Sequence, residues 1–291
     1  MKILVLGSKG QLGRCLGDQL VNRDYSIVYT SREGLDISDF EVTKNMILDI
    51  VPDVVINATA YTAVDKAEEE GQIADLINHL AVANIASICN QLNCWLIHVS
   101  TDYVFDGNSK VPYKEDNPTN PQSVYGCSKL KGEVAIEASG CKYLIIRTAW
   151  VYSEYGNNFL KTILRLGSDR EELSILGDQI GCPTYAQDIA KSIDRILSFL
   201  DLKGSYSGIY HYCGDKPCSW YDFACAIFSE AETIGLKTPS YVKSITKTNY
   251  PTPANRPSYS VLDCSKIESC FDVSRSKWRD GIKAAIDKLQ S

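Results

Sequence analysis

An α/β fold built on a parallel sheet is the architecture this 291-residue sequence predicts, and three observations carry it. Short, almost continuous apolar runs recur along the first half of the chain, the composition of strands buried on both faces. Helical patterns separate these runs, so successive strands are joined by crossovers and run parallel. The first run, Lys2-Ile3-Leu4-Val5-Leu6, breaks into Gly7-Ser8-Lys9-Gly10-Gln11-Leu12-Gly13 and restarts as a helix. A G-x-x-G-x-x-G turn directly after the first strand is the phosphate-binding turn of a Rossmann-type, doubly wound dinucleotide fold.

Each residue of the turn has a task. Gly7 permits the tight reversal, Gly10 lets the backbone approach a pyrophosphate, and Gly13 lets the helix lie close to the sheet. The first N–H groups of the helix, at Gln11 and Leu12, face the anion with the helix dipole behind them.

The remaining elements follow in order. Residues 25–30 read as a second strand and 54–57 as a third, after a helix that Pro52 closes. Ser38-Asp39-Phe40-Glu41 reads as the capping box of that helix. Helical patterning over 73–92 leads to a strand over 95–100, a helix over 122–138 and a strand over 143–148. Ligands of such sheets bind beyond the carboxyl ends of the strands, so the loops after Leu6, Thr30, Asn57, Ser100 and Thr148 gather around one site. Beyond Trp150 the helical stretches 159–166, 187–200 and 220–234 alternate with short strands and with loops rich in Pro, Gly and Asn. Residues 1–150 are therefore expected to form the nucleotide-binding domain and 151–291 mainly a smaller substrate-binding lobe, with segments near 186–213 returning to the first. The stretch Pro251-Thr252-Pro253-Ala254-Asn255-Arg256-Pro257 excludes regular structure, because its prolines lack donors and restrict their neighbours.

Composition narrows the function. The chain is 44% hydrophobic and 23% charged with a net charge of −6, ordinary for a globular enzyme. No Lys/Arg run marks it for nucleic acid or an anionic membrane, and no apolar stretch has transmembrane length. Met1 leads straight into a core strand, leaving no room for a signal peptide. Eleven cysteines are scattered without a C-x-x-C; Cys213 and Cys218 come closest to a ligand pair but have no matching partner pair. They read as reduced thiols of a cytoplasmic protein. His79, His98 and His211 lie within apolar segments and read as structural.

The chemistry centres on Tyr125 and Lys129. Residues four apart share a helix face, so a phenol and an amine point into one pocket. With 17 tyrosines in the chain the spacing alone decides nothing, and Tyr212-x-x-x-Lys216 is a decoy that spans Gly214 and stops at Pro217. Tyr125 instead opens a helix after Pro118 and Pro121, while Ser100-Thr101-Asp102-Tyr103 ends a buried strand. Together they place a hydroxyl, a phenol and an amine around a carbonyl carbon.

These motifs carry a resemblance. The glycine turn, Asn57-Ala58-Thr59-Ala60, Ser100-Thr101-Asp102 and Tyr125-x-x-x-Lys129 resemble the extended short-chain dehydrogenase/reductase superfamily. The finer motifs 61–68, 100–107, 147–152, 156–159, 178–184 and Arg256-Pro257 look like the dTDP-4-dehydrorhamnose reductase family, in order along nearly the whole chain. The resemblance implies reduction of the 4-keto group of dTDP-4-dehydro-L-rhamnose. Two alternatives stay open: a related nucleotide-sugar reductase or epimerase, and a non-catalytic subunit like the regulatory subunit of methionine adenosyltransferase, which resembles the same family.

On this reading Tyr125 protonates the carbonyl oxygen as hydride arrives from a nicotinamide. Lys129 lends a positive charge that eases ionisation of the phenol and holds the nicotinamide ribose. Thr101 orients the carbonyl, with Ser100 beside the cofactor and Asp102 beside the substrate. Tyr103 and Trp150 shape the sugar pocket, and Asn158 and Arg256 meet the nucleotide portion. After the second strand, where NAD-selective folds place an acid, this chain reads Tyr29-Thr30-Ser31-Arg32. Ser31 and Arg32 are expected to read a 2′-phosphate, giving an NADPH preference with NADH usable, although Glu33 lies next door. Asp36, Ile37, Ala60, Tyr61 and Thr62 are expected to flank the adenine and ribose. Some members of the family carry Mg²⁺ at a dimer interface through two carboxylates. Here Cys15 and Gln187 occupy those positions, so no metal is expected and monomer or homodimer both remain open.

Overall fold

The computed structural model describes residues 1–200 and 206–290. The first half runs β1 (Lys2–Leu6), α1 (Gln11–Leu20), β2 (Ser26–Thr30), α2 (Phe40–Ile50), β3 (Val54–Asn57), α3 (Val64–Ala67) and α4 (Gly71–Asp75). A π-helical turn, Leu76–Leu80, leads into α5 (Ala81–Leu92), then β4 (Trp95–Thr101), α6 (Val124–Ser139) and β5 (Lys142–Thr148). The second half opens with β6 (Val151–Tyr152), α7 (Phe159–Asp169), β7 (Glu172–Leu176), β8 (Ile180–Gly181) and β9 (Thr184–Tyr185). It continues through α8 (Ala186–Leu200), β10 (Gly208–His211), β11 (Cys218–Ser219), α9 (Trp220–Thr233), β12 (Tyr241–Ile245), α10 (Ser265–Phe271) and α11 (Trp278–Gln290).

Six parallel strands form the main sheet in the order β10-β5-β4-β3-β1-β2. β2 lies on one side of β1 and β3 on the other, so sheet growth reverses there and a crevice opens at the carboxyl ends of β1 and β3. Alternation along β1 makes the two-faced core: Ile3 and Val5 join Leu16, Ile189 and Ile193 of α1 and α8, whereas Leu4 and Leu6 join Ile47, Ile85 and Ile136 of α2, α5 and α6. A third core, with Tyr152, Phe223, Trp278 and Ile282, knits the second half. Among the described residues no helix is long and apolar enough to cross a membrane.

Three local readings differ from the sequence expectation. α2 is capped by Asp39, whose carboxylate accepts the Val42 N–H at 3.1 Å. Ser38 is unavailable for that role because its N–H and hydroxyl both donate to Asp36, at 3.0 and 2.7 Å. The helical run 73–92 is broken by the π-turn, which carries the buried Asn78. Asn78 spends its amide on the Tyr61 backbone and on Ser128 of α6, tying the loop after β3 to that helix. Cys213 and Cys218 separate into different cores: Cys213 sits 3.6 Å from Cys264, and Cys218 belongs to the third cluster. Residues 251–257 have no regular structure, as the prolines require.

Candidate active site

The glycine turn builds the floor of the crevice. Gly7 and Ser8 donate their N–H groups to Thr30 O at 3.0 and 2.8 Å, pinning the turn between β1 and β2. Gly7 has φ +83°, and a Cβ on Gly13 would lie 2.2 Å from Gly7 O, so neither position admits a side chain without distortion. Gly10 is the N-cap of α1 and no side chain caps that helix. The N–H groups of Gln11, Leu12 and Gly13 therefore point from a helix start into the crevice, the arrangement a dinucleotide diphosphate requires.

Gln11 does a further job. Its side-chain oxygen accepts from Ser153 Oγ at 3.0 Å and from Asn158 Nδ2 at 2.9 Å, joining the turn to the start of the second half. The Asn158 amide also donates to Ser153 O and Tyr155 O, and its Oδ1 caps α7 at Lys161 N, so the side chain braces the start of that helix.

A cleft of about 840 Å³ lies beside the glycine turn and the end of β2, lined in part by Ser8, Lys9, Tyr29, Ser31 and Met46. Arg32 stands 83% exposed with only a 3.4 Å contact to Asp36. Glu33 accepts from Ser31 at 2.9 Å and from Lys9, and these bonds hold its carboxyl below the usual range. Asp36 is spent on Ser38, and Ile37 is buried in the core with Leu4 and Leu6. Across the crevice, Tyr61 donates its hydroxyl to Glu70 at 2.5 Å, beside Ala60 and Thr62.

The reacting end is built on α6 and the end of β4. Ser123 caps α6 by accepting the Gly126 N–H at 3.1 Å, and Glu68 accepts from Val124 N at 3.0 Å. That start places Tyr125 and Lys129 on the buried face, 9% and 1% exposed. Tyr125 packs edge-on against Tyr103 at 5.5 Å and shares a hydrogen bond with Thr101. Burial pushes its phenol up to about 12, opposed by the Thr101 bond and reinforced by the Asp102 charge. A phenol so placed keeps its proton at neutral pH, which suits a proton donor. Thr101 itself donates to Asp102 Oδ1 at 3.1 Å and accepts from Tyr103 N at 3.2 Å. Asp102 is 2% exposed and burial pushes its carboxyl up to about 7, against hydrogen bonds from Ser260 and Thr101.

Lys129 is tied to β4: its side-chain nitrogen lies 2.8 Å from Val99 O and 3.1 Å from His98 Nε2. Ser100 and Thr148, both buried, bring hydroxyls to the ends of β4 and β5.

Aromatics close the far side. Trp150 has φ +49°, a conformation costing about 1–3 kcal/mol in a bulky residue. It is held by stacking on Trp220, with centroids 3.5 Å apart, and by Gly181, where a Cβ would lie 2.5 Å from its ring. Arg256 sits in an ion pair: its guanidinium grips Asp65 bidentately at 2.9 and 2.7 Å and bonds Tyr103. It clamps the proline-rich segment to α3 and holds the Asp65 carboxyl below its ordinary range. At the positions read for a metal, Cys15 is fully buried with its thiol pushed up to about 12, and Gln187 donates to Gln19 at 3.2 Å. Among the described residues no group of three or more His, Cys, Asp or Glu is placed to hold a metal ion.

A glycine turn at the switch of a parallel sheet, with a buried Thr–Tyr pair and a lysine one helical turn on, defines the class as short-chain dehydrogenase/reductase. The family model for the RmlD substrate binding domain matches residues 1–291. The dTDP-4-dehydrorhamnose reductase of Escherichia coli K12 is 39% identical, over 99% of this chain and 98% of its own length. The crystal structure of such a reductase from Clostridium acetobutylicum superposes with a TM-score of 0.91 at 39% identity, covering 100% of both chains. That of the Bacillus anthracis reductase, solved in complex with NADP, gives 0.91 at 34% identity over 99% of each. The chain belongs to the dTDP-4-dehydrorhamnose reductase family.

Proposed function

We propose that this protein reduces the 4-keto group of dTDP-4-dehydro-L-rhamnose to give dTDP-L-rhamnose, with NADPH preferred and NADH usable. The observation that carries the reading is the Thr101–Tyr125 hydroxyl pair, buried at the carboxyl end of β4 with the phenol protonated at neutral pH. The coenzyme supplies the hydride to C4. Tyr125 gives its phenolic proton to the carbonyl oxygen, and Thr101 holds that oxygen in line. The uncapped start of α1, at Gln11 to Gly13, holds the diphosphate, and Ser31 and Arg32 meet the 2′-phosphate. Ser100 and Lys129 serve the nicotinamide ribose, while Asp36, Ile37, Ala60, Tyr61 and Thr62 border the adenosine. Asp102, Tyr103 and Trp150 wall the sugar pocket.

The division of labour follows: residues 1–150, with the segments that rejoin the sheet, carry the coenzyme, and 151–291 mainly the sugar nucleotide. The protein works in the cytoplasm as a monomer or homodimer, without a membrane or nucleic-acid partner. The test is coenzyme oxidation with dTDP-4-dehydro-L-rhamnose and identification of the product by NMR. Stoichiometric dTDP-L-rhamnose is expected. The C4 epimer would assign a related reductase, and coenzyme binding without turnover would assign a regulatory subunit.

A further inference from the structure

The Thr101 hydroxyl has one hydrogen and three claimants. Its oxygen already accepts the Tyr103 N–H at 3.2 Å, which leaves one lone pair and one hydrogen to assign. Asp102 Oδ1 lies 3.1 Å away, and Tyr125 shares a bond with the same hydroxyl. The carbonyl oxygen of the proposed substrate is the third partner. A carboxylate at Asp102 takes the hydrogen, because a carboxylate only accepts. Thr101 then offers a lone pair alone, which turns the Tyr125 O–H toward Thr101 and away from the carbonyl. A carboxylic acid protonated on Oδ1 reverses the order. Asp102 donates to Thr101, and the Thr101 and Tyr125 hydrogens are both free for the carbonyl.

The surroundings of Asp102 suit the acid. The residue is 2% exposed, and its second oxygen, Oδ2, is buried without a hydrogen-bond partner. The Ser260 hydroxyl and the residue's own N–H act on the carboxyl, and neither satisfies Oδ2. A bare, buried carboxylate oxygen is costly, whereas the carbonyl oxygen of a neutral acid loses much less. We propose that Asp102 works as a neutral acid, a positioning residue that turns the Thr101 and Tyr125 hydroxyl hydrogens toward the substrate carbonyl. This deepens the reductase reading and rests on it.

The groups facing Asp102 do not reverse the bias. Thr101 closes β4 with Tyr103 in the turn after it, Tyr125 comes from α6, Ser260 from the segment after the prolines, and Cys213 follows β10. A negative sulfur at Cys213 opposes ionisation of Asp102, and burial keeps both phenols protonated at neutral pH. Arg256, which acts on Tyr103, is paired with Asp65 at 2.7 Å. Burial outweighs the bonds from Ser260 and Thr101 and brings the carboxyl up to about 7. The acid is therefore the main form at pH 6 and the carboxylate at pH 8.

The test reads the proton first. Infrared spectra of the full-length protein are compared at pH 6 and pH 8, with and without ¹³C in the aspartate carboxyls. A protonated-carboxyl band that shifts with the label is expected at pH 6, lost at pH 8 and missing from Asp102→Asn. No such band at pH 6, or the same band undiminished in Asp102→Asn, overturns the proposal. Kinetics then read the orientation, as kcat/KM for the sugar nucleotide at saturating NADPH. Between pH 6 and 8 the parent should lose about threefold or more beyond what Asp102→Asn loses, because the amide cannot ionise and its NH₂ still donates to Thr101. Lys129, lowered to about 8, titrates in both proteins and cancels from the comparison. Thr101→Val should be slower and lose no more than Asp102→Asn, while Thr101→Ser, which keeps the hydroxyl, should lose as much as the parent. Equal losses in the parent and Asp102→Asn overturn the proposal, as does a parent-like loss in Thr101→Val. Should Asp102→Asn fail to fold, the two Thr101 variants and the labelled band of the parent decide. The band is read without turnover, so failure of the proposal and failure of the reductase reading are distinguishable.

Discussion

The two ends of the crevice are built to opposite specifications. At the reacting end Tyr125, Lys129, Thr101 and Asp102 are all buried, and burial is the largest cause of shift at Tyr125, Lys129 and Asp102. At the adenosine end Arg32 is 83% exposed, and Lys9, Ser31 and Glu33 satisfy one another in solvent. Low dielectric makes each hydrogen bond at the first end count heavily, whereas solvent and salt screen the second. On the proposed function, proton chemistry sits where a charge is costly and coenzyme discrimination where a charge is cheap.

That contrast sets the order of the expected effects. Tyr125→Phe removes the proton donor but keeps the ring against Tyr103, so kcat should fall by about two orders of magnitude or more with coenzyme binding intact. Near-full rate would leave the tyrosine as packing. Lys129→Ala opens a buried cavity and breaks the bonds to His98 and Val99; both turnover and coenzyme affinity should fall, read as kcat and as coenzyme Kd. Loss of only one would separate the two roles. Arg32→Ala acts at the exposed end. A charge-assisted bond to phosphate is worth about 1.5–3 kcal/mol before screening, and screening at this exposure leaves less than about tenfold in the NADPH:NADH ratio of kcat/KM. An unchanged ratio would remove Arg32 from phosphate recognition. The smallest effect is expected from EDTA, which should leave activity unchanged because a protonated buried thiol and an amide make a poor Mg²⁺ site. Loss in EDTA restored by Mg²⁺ would contradict this.

The same contrast explains what could be read in the sequence. Strands announced themselves because alternate residues of β1 feed two cores on opposite faces, which demands an unbroken apolar run; β3 lies where the pattern put it. Thr101 and Tyr125 were legible because each stands at a boundary, a strand end and a helix start. Asn57 and His98, whose side chains meet 3.2 Å apart, were not, since that meeting depends on the register of two strands 41 residues apart. The available signal was a polar residue at matching points of two otherwise apolar runs. Asp65 and Arg256 are 191 residues apart, and nothing local to either encodes the other. Asn158 carries a local signal of its own, since an asparagine before a helix is first of all a cap.

The separation of the two ends is tested most directly by a kinetic cycle. The parent, Tyr125→Phe, Arg32→Ala and the double variant are each measured with NADPH and NADH. Tyr125→Phe is predicted to lower kcat equally with both coenzymes and leave their kcat/KM ratio unchanged, while Arg32→Ala changes that ratio and spares kcat. The two effects should add within about 0.5 kcal/mol. A coupling energy well above that, or a coenzyme ratio that moves in Tyr125→Phe, would contradict the account.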